Sequence, residues 1–204
     1  MTPLLTEEEA AVSKAVERRR REFATGRACA RIALEALEPG CHGRRAIPVG
    51  PAGEPRWPAG IVGSITHCHG YRACAVAHQS DVLALGIDAE PNEPISERVL
   101  AAVACEDERA MVHGIAAERP NVSWDRLLFS AKESVYKTWY SLTGCRMGFG
   151  GATIGIEPDA QSFAVRLLIP GGPVLGQAEP PVLAGRWALD RGIVVTGVSI
   201  LPTT

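Results

Sequence analysis

The chain is poor in lysine. Only Lys14, Lys132 and Lys137 occur against eighteen arginines, and two of the three lysines stand five residues apart. No segment approaches the ~18 consecutive apolar residues of a membrane helix. The first residues carry Glu7, Glu8 and Glu9 close behind Met1, not a basic stretch followed by an apolar one. Neither a membrane span nor a secretory leader is expected, and the expected compartment is the cytoplasm. A net charge of −2 lacks the positive excess of a general nucleic-acid binder. The six cysteines (Cys29, Cys41, Cys68, Cys74, Cys105, Cys145) include no C-x-x-C pair, so free, mostly buried thiols are expected and not a disulfide framework. There is no Walker A sequence, and Gly148-Phe149-Gly150-Gly151 is not G-x-G-x-x-G, which argues against P-loop and dinucleotide folds.

What is present is 204 residues, 46% apolar and 22% charged, the composition of one packed domain or two small subdomains sharing a core. Thr6 and Glu9 have capping-box spacing, and an amphipathic pattern runs from there to about Phe23. Gly26 interrupts that pattern, which resumes through Ile32, Leu34 and Leu37 and stops at Pro39-Gly40. Five prolines and five glycines between Pro39 and Gly60 indicate an irregular loop. Ile61–Thr66, Arg72–His78 and Val82–Asp88 read as strands. After Pro91-Asn92-Glu93-Pro94 the order repeats: helix from about Ser96 to Ala117, helix from about Asp125 to Leu142, then four strand-like runs beginning at Thr153, Phe163, Leu183 and Ile193. Helices followed by strands, twice over, imply a duplicated α+β chain with halves 1–92 and 93–204 and a cleft between them.

Four segments can carry chemistry. In Gly86-Ile87-Asp88-Ala89-Glu90, strand alternation puts Asp88 and Glu90 on one face, where the carboxylates repel unless a cation such as Mg²⁺ sits between them. A solvent-facing strand end explains the same residues. In Ser130-Ala131-Lys132-Glu133-Ser134-Val135-Tyr136-Lys137, two lysines flank one glutamate in a chain that otherwise avoids lysine, which suits phosphate binding or proton transfer. The same stretch also reads as a Ser130/Glu133 capping box with a surface Glu133–Lys137 pair. Thr66 and His67 offer two phosphate donors. A serine nucleophile at Ser64 lacks the glycine-flanked elbow, and His67, Cys68, His69 and Cys74 match no common zinc spacing. Arg18 to Arg21, with Arg27 and Arg31, form a basic run that is mostly solvated but has one or two members free to grip a phosphate.

In this order the segments resemble the 4′-phosphopantetheinyl transferases of the surfactin and enterobactin type, and actinobacterial members most of all. The resemblance rests on G-I-D-x-E at Gly86–Glu90, x-x-K-E-S/A-x-x-K at Ser130–Lys137, G-S-x-T-H at Gly63–His67, and R-R-x-E-F-x-x-x-R-x-C-A-R from Arg19 to Arg31. It implies an α/β pseudo-dimer: two similar subdomains, each with helices on a small, mainly antiparallel sheet, and an active site in the cleft. It further implies transfer of the phosphopantetheine arm of coenzyme A to a serine of an apo acyl- or peptidyl-carrier protein, with release of adenosine 3′,5′-bisphosphate. Asp88, Glu90 and Glu133 would hold Mg²⁺, Glu133 would also be the general base, and Lys137 would offset charge on the pyrophosphate. Lys132, Thr66 and His67 would contact coenzyme A phosphates, and Arg19 and Arg27 the 3′-phosphate. Similar proteins often have K-G-x-x-G-x-P where Val49–Pro55 has no lysine, so either Arg44 or Arg45 substitutes or fewer cations hold coenzyme A. A monomer is the simplest expectation. The rivals are a non-catalytic coenzyme A or carrier docking module and a Mg²⁺-dependent nucleotide pyrophosphate hydrolase.

Overall fold

The computed structural model describes residues 4–40, 45–169 and 182–202. Cys41 and Arg44 lie outside them. Among the described residues the architecture is α+β, with five α-helices and two antiparallel sheets. Helices α1 (Thr6–Glu9) and α2 (Glu17–Leu37) precede β1 (Ile61–Cys68), β2 (Tyr71–His78) and β3 (Ala84–Pro91). Then follow α3 (Glu97–Val103), α4 (Glu106–Glu118), α5 (Trp124–Thr143), β4 (Ala152–Glu157), β5 (Ser162–Leu167), β6 (Val182–Asp190) and β7 (Ile193–Ile200). Strands β1 and β2 form a hairpin, and the larger sheet has the order β3-β7-β6-β5-β4.

Strand β3 spans Ala84–Pro91 where Val82–Asp88 is expected, and three helix boundaries also differ from the sequence expectation. The first helical stretch breaks near Ser13–Val16 and not at Gly26, which lies inside α2 and brings Ile65 of β1 close to the helix axis. The helix cap is one residue earlier than Thr6, where Leu5 N–H donates to Glu8 Oε2 at 3.1 Å. The stretch 96–117 is two helices, because Ala104 turns extended and Cys105 starts a new helix by donating its N–H to Glu108 Oε2 at 2.9 Å.

Helix α5 supplies the main core. Its apolar face, Leu127, Leu128, Ala131, Val135 and Trp139, packs on the inward residues Ile154, Phe163, Val165, Leu167, Val194 and Val198 of the larger sheet. The alternating burial of β4, β5 and β7 shows that this sheet has one buried face. A smaller core joins α2 to the hairpin through Ala30, Leu34, Ile47 and Ile61. Glu8 pins that region from within: fully buried, it accepts from Arg31 Nη1 at 2.7 Å and from Ile47 N–H at 3.0 Å.

Gly86 decides how α5 meets β3. A Cβ there would lie 2.2 Å from the Ser134 carbonyl oxygen and 2.6 Å from Thr138 Oγ1, so only glycine lets the helix backbone rest on the strand. This places Asp88, two residues on, beneath the middle of α5.

Candidate active site

Asp88 is buried and accepts three side-chain hydrogen bonds, one fewer than a carboxylate can take. Its Oδ1 accepts from Lys137 Nζ at 2.7 Å and from the Thr66 hydroxyl at 3.2 Å, and its Oδ2 accepts from the Ser130 hydroxyl at 2.9 Å. Ser130 is held in turn by Thr196, the residue paired with Asp88 across β3 and β7, whose hydroxyl donates to the Ser130 carbonyl at 2.9 Å. The Ser130/Glu133 capping box is therefore absent: Ser130 lies well inside α5 and turns its hydroxyl toward the sheet.

Glu90 shares the Asp88 face and pairs with Arg126 Nη1 at 3.0 Å, while Arg126 Nε donates to the Glu93 carbonyl at 2.9 Å. Glu133 has no hydrogen-bond or ion-pair partner among the described residues, because its i+4 neighbour Lys137 turns instead to Asp88 and to the Ile87 carbonyl, at 3.0 Å. Burial raises the Glu133 carboxyl above its ordinary value, and the Asp88 carboxylate raises it further. Burial and Asp88 also raise Glu90, in that order, with Arg126 opposing. Asp88 is thus close enough to repel both Glu90 and Glu133, and of the three acids Asp88 and Glu90 have ion-pair partners among the described residues.

No three His, Cys, Asp or Glu side chains among the described residues are gathered tightly enough to hold a metal as they stand. The donor set nevertheless fits a hard divalent cation. All three groups are carboxylates, burial and the Asp88 charge raise the pKa of two of them, and one has no hydrogen-bond or ion-pair partner among the described residues.

The basic residues divide between two roles. Arg19 Nη1 lies 3.0 Å from His67 Nε2, so Nε2 accepts and Nδ1 carries the ring proton. Burial and then Arg19 hold His67 below its ordinary pKa, leaving a neutral donor beside an exposed guanidinium. Arg27 is buried over the Phe23 ring at 4.4 Å, with Nε donating to the Ile47 carbonyl at 2.8 Å, and burial lowers its pKa to about 10. Its two terminal nitrogens make no hydrogen bond among the described residues.

Two expected phosphate ligands are engaged elsewhere. Lys132, only 4% exposed, gives its three protons to the Phe149 and Ala152 carbonyls and to Glu108 Oε2, at 3.0, 3.0 and 2.9 Å. Thr66 is 2% exposed and spends its single proton on Asp88. Neither offers a donor to a substrate. The partnerships that the sequence does not reveal, Ser130 with Asp88, Thr196 with Ser130, Arg126 with Glu90 and Glu108 with Lys132, carry no local signal, since the partners lie at least 24 positions apart.

Two cavities flank α5. The larger, about 570 Å³, is bounded by Glu54, Trp57, Gly63, Gln79, Lys137 and Tyr140. Trp57 forms its wall by donating to the Gly63 carbonyl at 2.9 Å, and the absence of a side chain on Gly63 lets the indole lie flat there. The smaller, about 420 Å³, contains Glu133 among Val135, Met147 and Phe149, with Arg146 at its edge. Tyr136 lines both, so Lys137 and Glu133 face neighbouring spaces separated by one side chain. Of the other aromatics near this motif, Trp139 is core and Phe129 packs on Phe149 at 5.9 Å. The segment lacking lysine closes as a tight turn in which Glu54 Oε2 accepts from Ala52 N–H, and Arg45 is exposed.

Five cysteines are free among the described residues, but they are not mostly buried as expected: Cys29, Cys68 and Cys74 are half-buried and Cys105 and Cys145 exposed, and burial pushes the Cys74 thiol up to about 12. No described helix is long and apolar enough to cross a membrane.

Three carboxylates beside a lysine and a guanidinium–imidazole pair suit an enzyme acting on a phosphate-rich substrate. Comparison with known proteins agrees. Residues 7–77 match the family model of the 4′-phosphopantetheinyl transferase N-terminal domain, and residues 84–180 that of the 4′-phosphopantetheinyl transferase superfamily. The chain is 50% identical over 202 residues to 4′-phosphopantetheinyl transferase Svp of Streptomyces mobaraensis, covering 97% of this chain and 78% of that protein. It is 42% identical to 4′-phosphopantetheinyl transferase PptT of Mycobacterium tuberculosis (97% and 86% covered) and 41% identical to 4′-phosphopantetheinyl transferase Npt of Nocardia iowensis (94% and 87% covered). The chain belongs to the 4′-phosphopantetheinyl transferase superfamily, with actinobacterial relatives, and is an enzyme of that class.

Proposed function

We propose that the enzyme transfers the 4′-phosphopantetheine arm of coenzyme A to a serine hydroxyl of an apo acyl- or peptidyl-carrier protein, releasing adenosine 3′,5′-bisphosphate. The observation that carries the site assignment is Glu133: a half-buried carboxylate with a raised pKa and no partner among the described residues, one helical turn from Lys137 and beside Asp88. Serine oxygen attacks the β-phosphorus, the new O–P bond replaces the bond to the leaving bisphosphate, and the serine proton passes to Glu133. A raised pKa makes Glu133 a stronger proton acceptor than an exposed carboxylate. Lys137 uses two of its three N–H donors on protein oxygens and keeps the third for the pyrophosphate. Arg19, His67 and the free end of Arg27 hold the nucleotide phosphates; Thr66 and Lys132 do not. Asp88, Glu90 and Glu133 would hold Mg²⁺, which supplies charge neutralisation on the pyrophosphate when bound.

The charged nucleotide end suits the larger cleft beside Lys137, and the uncharged pantetheine arm suits the apolar cavity lined by Val135, Met147 and Phe149. The segments 1–92 and 93–204 supply both sides of the site within one chain, so a monomer suffices, and free thiols fit a reducing cytoplasm. Weighing an apo carrier protein by intact mass after incubation with the enzyme, coenzyme A and Mg²⁺ tests the reading. The carrier should gain one phosphopantetheine. Cleaved coenzyme A with an unmodified carrier would indicate a hydrolase, and intact coenzyme A a docking module; either refutes the transfer.

A further inference from the structure

Strand β3 is the edge of the five-stranded sheet, and its outward N–H groups need partners. Strand β1 runs beside it in the same direction but supplies side-chain hydroxyls in place of carbonyls. Ile87 N–H donates to Ser64 Oγ at 3.1 Å, and Ala89 N–H donates to Thr66 Oγ1 at 2.9 Å. The two rungs are spaced alike and both hydroxyls are buried. They differ in one respect: Thr66 passes its own proton to Asp88 Oδ1, and among the described residues no such bond joins Ser64 to a carboxylate.

We propose that Thr66 is a positioning residue, whose hydroxyl ties the first sheet to the second and fixes the Asp88 carboxylate for the cation and the pyrophosphate, without touching coenzyme A. One atom accepts from the backbone beside Asp88 and donates to the side chain of Asp88, so backbone and carboxylate are set together. Ser130 steadies the other carboxylate oxygen from α5, which leaves the Asp88 carboxylate held from the first sheet and from the helix. The inference rests on the transfer reaction proposed above.

Ser64 provides an internal control. Thr66→Val and Ser64→Ala each leave one β3 N–H without its acceptor, but only Thr66→Val releases Asp88. Partners that orient a metal-binding carboxylate typically affect metal affinity or turnover by about 10–100-fold. Mn²⁺ titrated calorimetrically into the full-length protein should bind about 10–100-fold more weakly to Thr66→Val than to wild type. Thr66→Ser should restore binding, and Ser64→Ala should bind as wild type does. In carrier modification, Thr66→Val should lower kcat with KM for coenzyme A nearly unchanged. A raised KM with intact Mn²⁺ affinity would make Thr66 a phosphate ligand and overturn the proposal, as would equal Mn²⁺ affinities of Thr66→Val and Ser64→Ala. If wild type modifies the carrier but binds no Mn²⁺, the positioning role fails while the transfer stands. If it binds Mn²⁺ but modifies no carrier, the transfer reading fails, and the Mn²⁺ affinities of the variants still decide whether Thr66 sets Asp88.

Discussion

Replacing Lys132 by methionine separates a structural lysine from a substrate-binding one. Lys132 and Glu108 are 4% and 3% exposed at the side chain, so their 2.9 Å ion pair is almost wholly out of water. Removing one partner of a buried pair costs about 3–5 kcal/mol, because the other charge stays behind. Here Glu108 would retain the Ile154 and Cys105 N–H groups, at 2.8 and 2.9 Å, but lose the cation paired with it, and the Phe149 and Ala152 carbonyls would lose a donor. For a domain of this size each kcal/mol shifts Tm by about 2–4 °C, so Lys132→Met should melt about 6–20 °C lower. The double variant Lys132→Met/Glu108→Gln should recover part of that loss, since no charge is then buried and one amide oxygen still accepts from the backbone. Differential scanning calorimetry gives the melting points, and coenzyme A titration of the carrier-modification rate gives KM. A Tm within about 2 °C of wild type, together with a large rise in KM for coenzyme A, would refute the reasoning and return Lys132 to the phosphates.

Glu133→Gln should lower kcat by about 100- to 10,000-fold, the usual contribution of a general base, and near-normal turnover at saturating Mg²⁺ would exclude that role. The same variant should be more stable than wild type at neutral pH. The folded pKa of Glu133 is raised, so the native state binds more protons than the unfolded chain above the ordinary value of 4.5, and stability is lost as pH rises through that window; Tm values of the two proteins should converge below it. Arg19→Ala should reduce kcat/KM about 10–100-fold with coenzyme A and leave dephospho-coenzyme A unaffected, whereas equal losses would place the 3′-phosphate elsewhere. Arg19 is the better probe, because Arg27 also packs on Phe23 and bonds Ile47. Gly86→Ala should cost about 1–3 kcal/mol by forcing α5 off β3, and should abolish transfer by displacing Asp88; a stable, active variant would mean that the helix does not rest on that strand.

Much of this protein is legible along the chain. The strand alternation that sets Asp88 beside Glu90, the helical run holding Glu133 and Lys137, and the strands themselves, most of their ends to within a residue, follow from residue pattern, because periodicity is a local property of the backbone. The departures are matters of partnership. Lys132 and Lys137 look like a pair in one motif, yet five steps of about 100° turn them to different sides of α5, and the fold gives one to Glu108 and the other to Asp88. Glu133 and Lys137 have the spacing of a surface ion pair, but a buried Asp88 beneath the helix is the stronger claimant, since two charges attract more in a low-dielectric interior than at an exposed face. Thr66 has the chemistry of a phosphate donor and lacks only a free proton, which the approach of β3 takes up. Sequence determined which groups point to the same side of an element; which group each one meets was decided by the packing of β1, β3 and α5, where burial makes an unmatched charge or N–H too costly to leave unpaired.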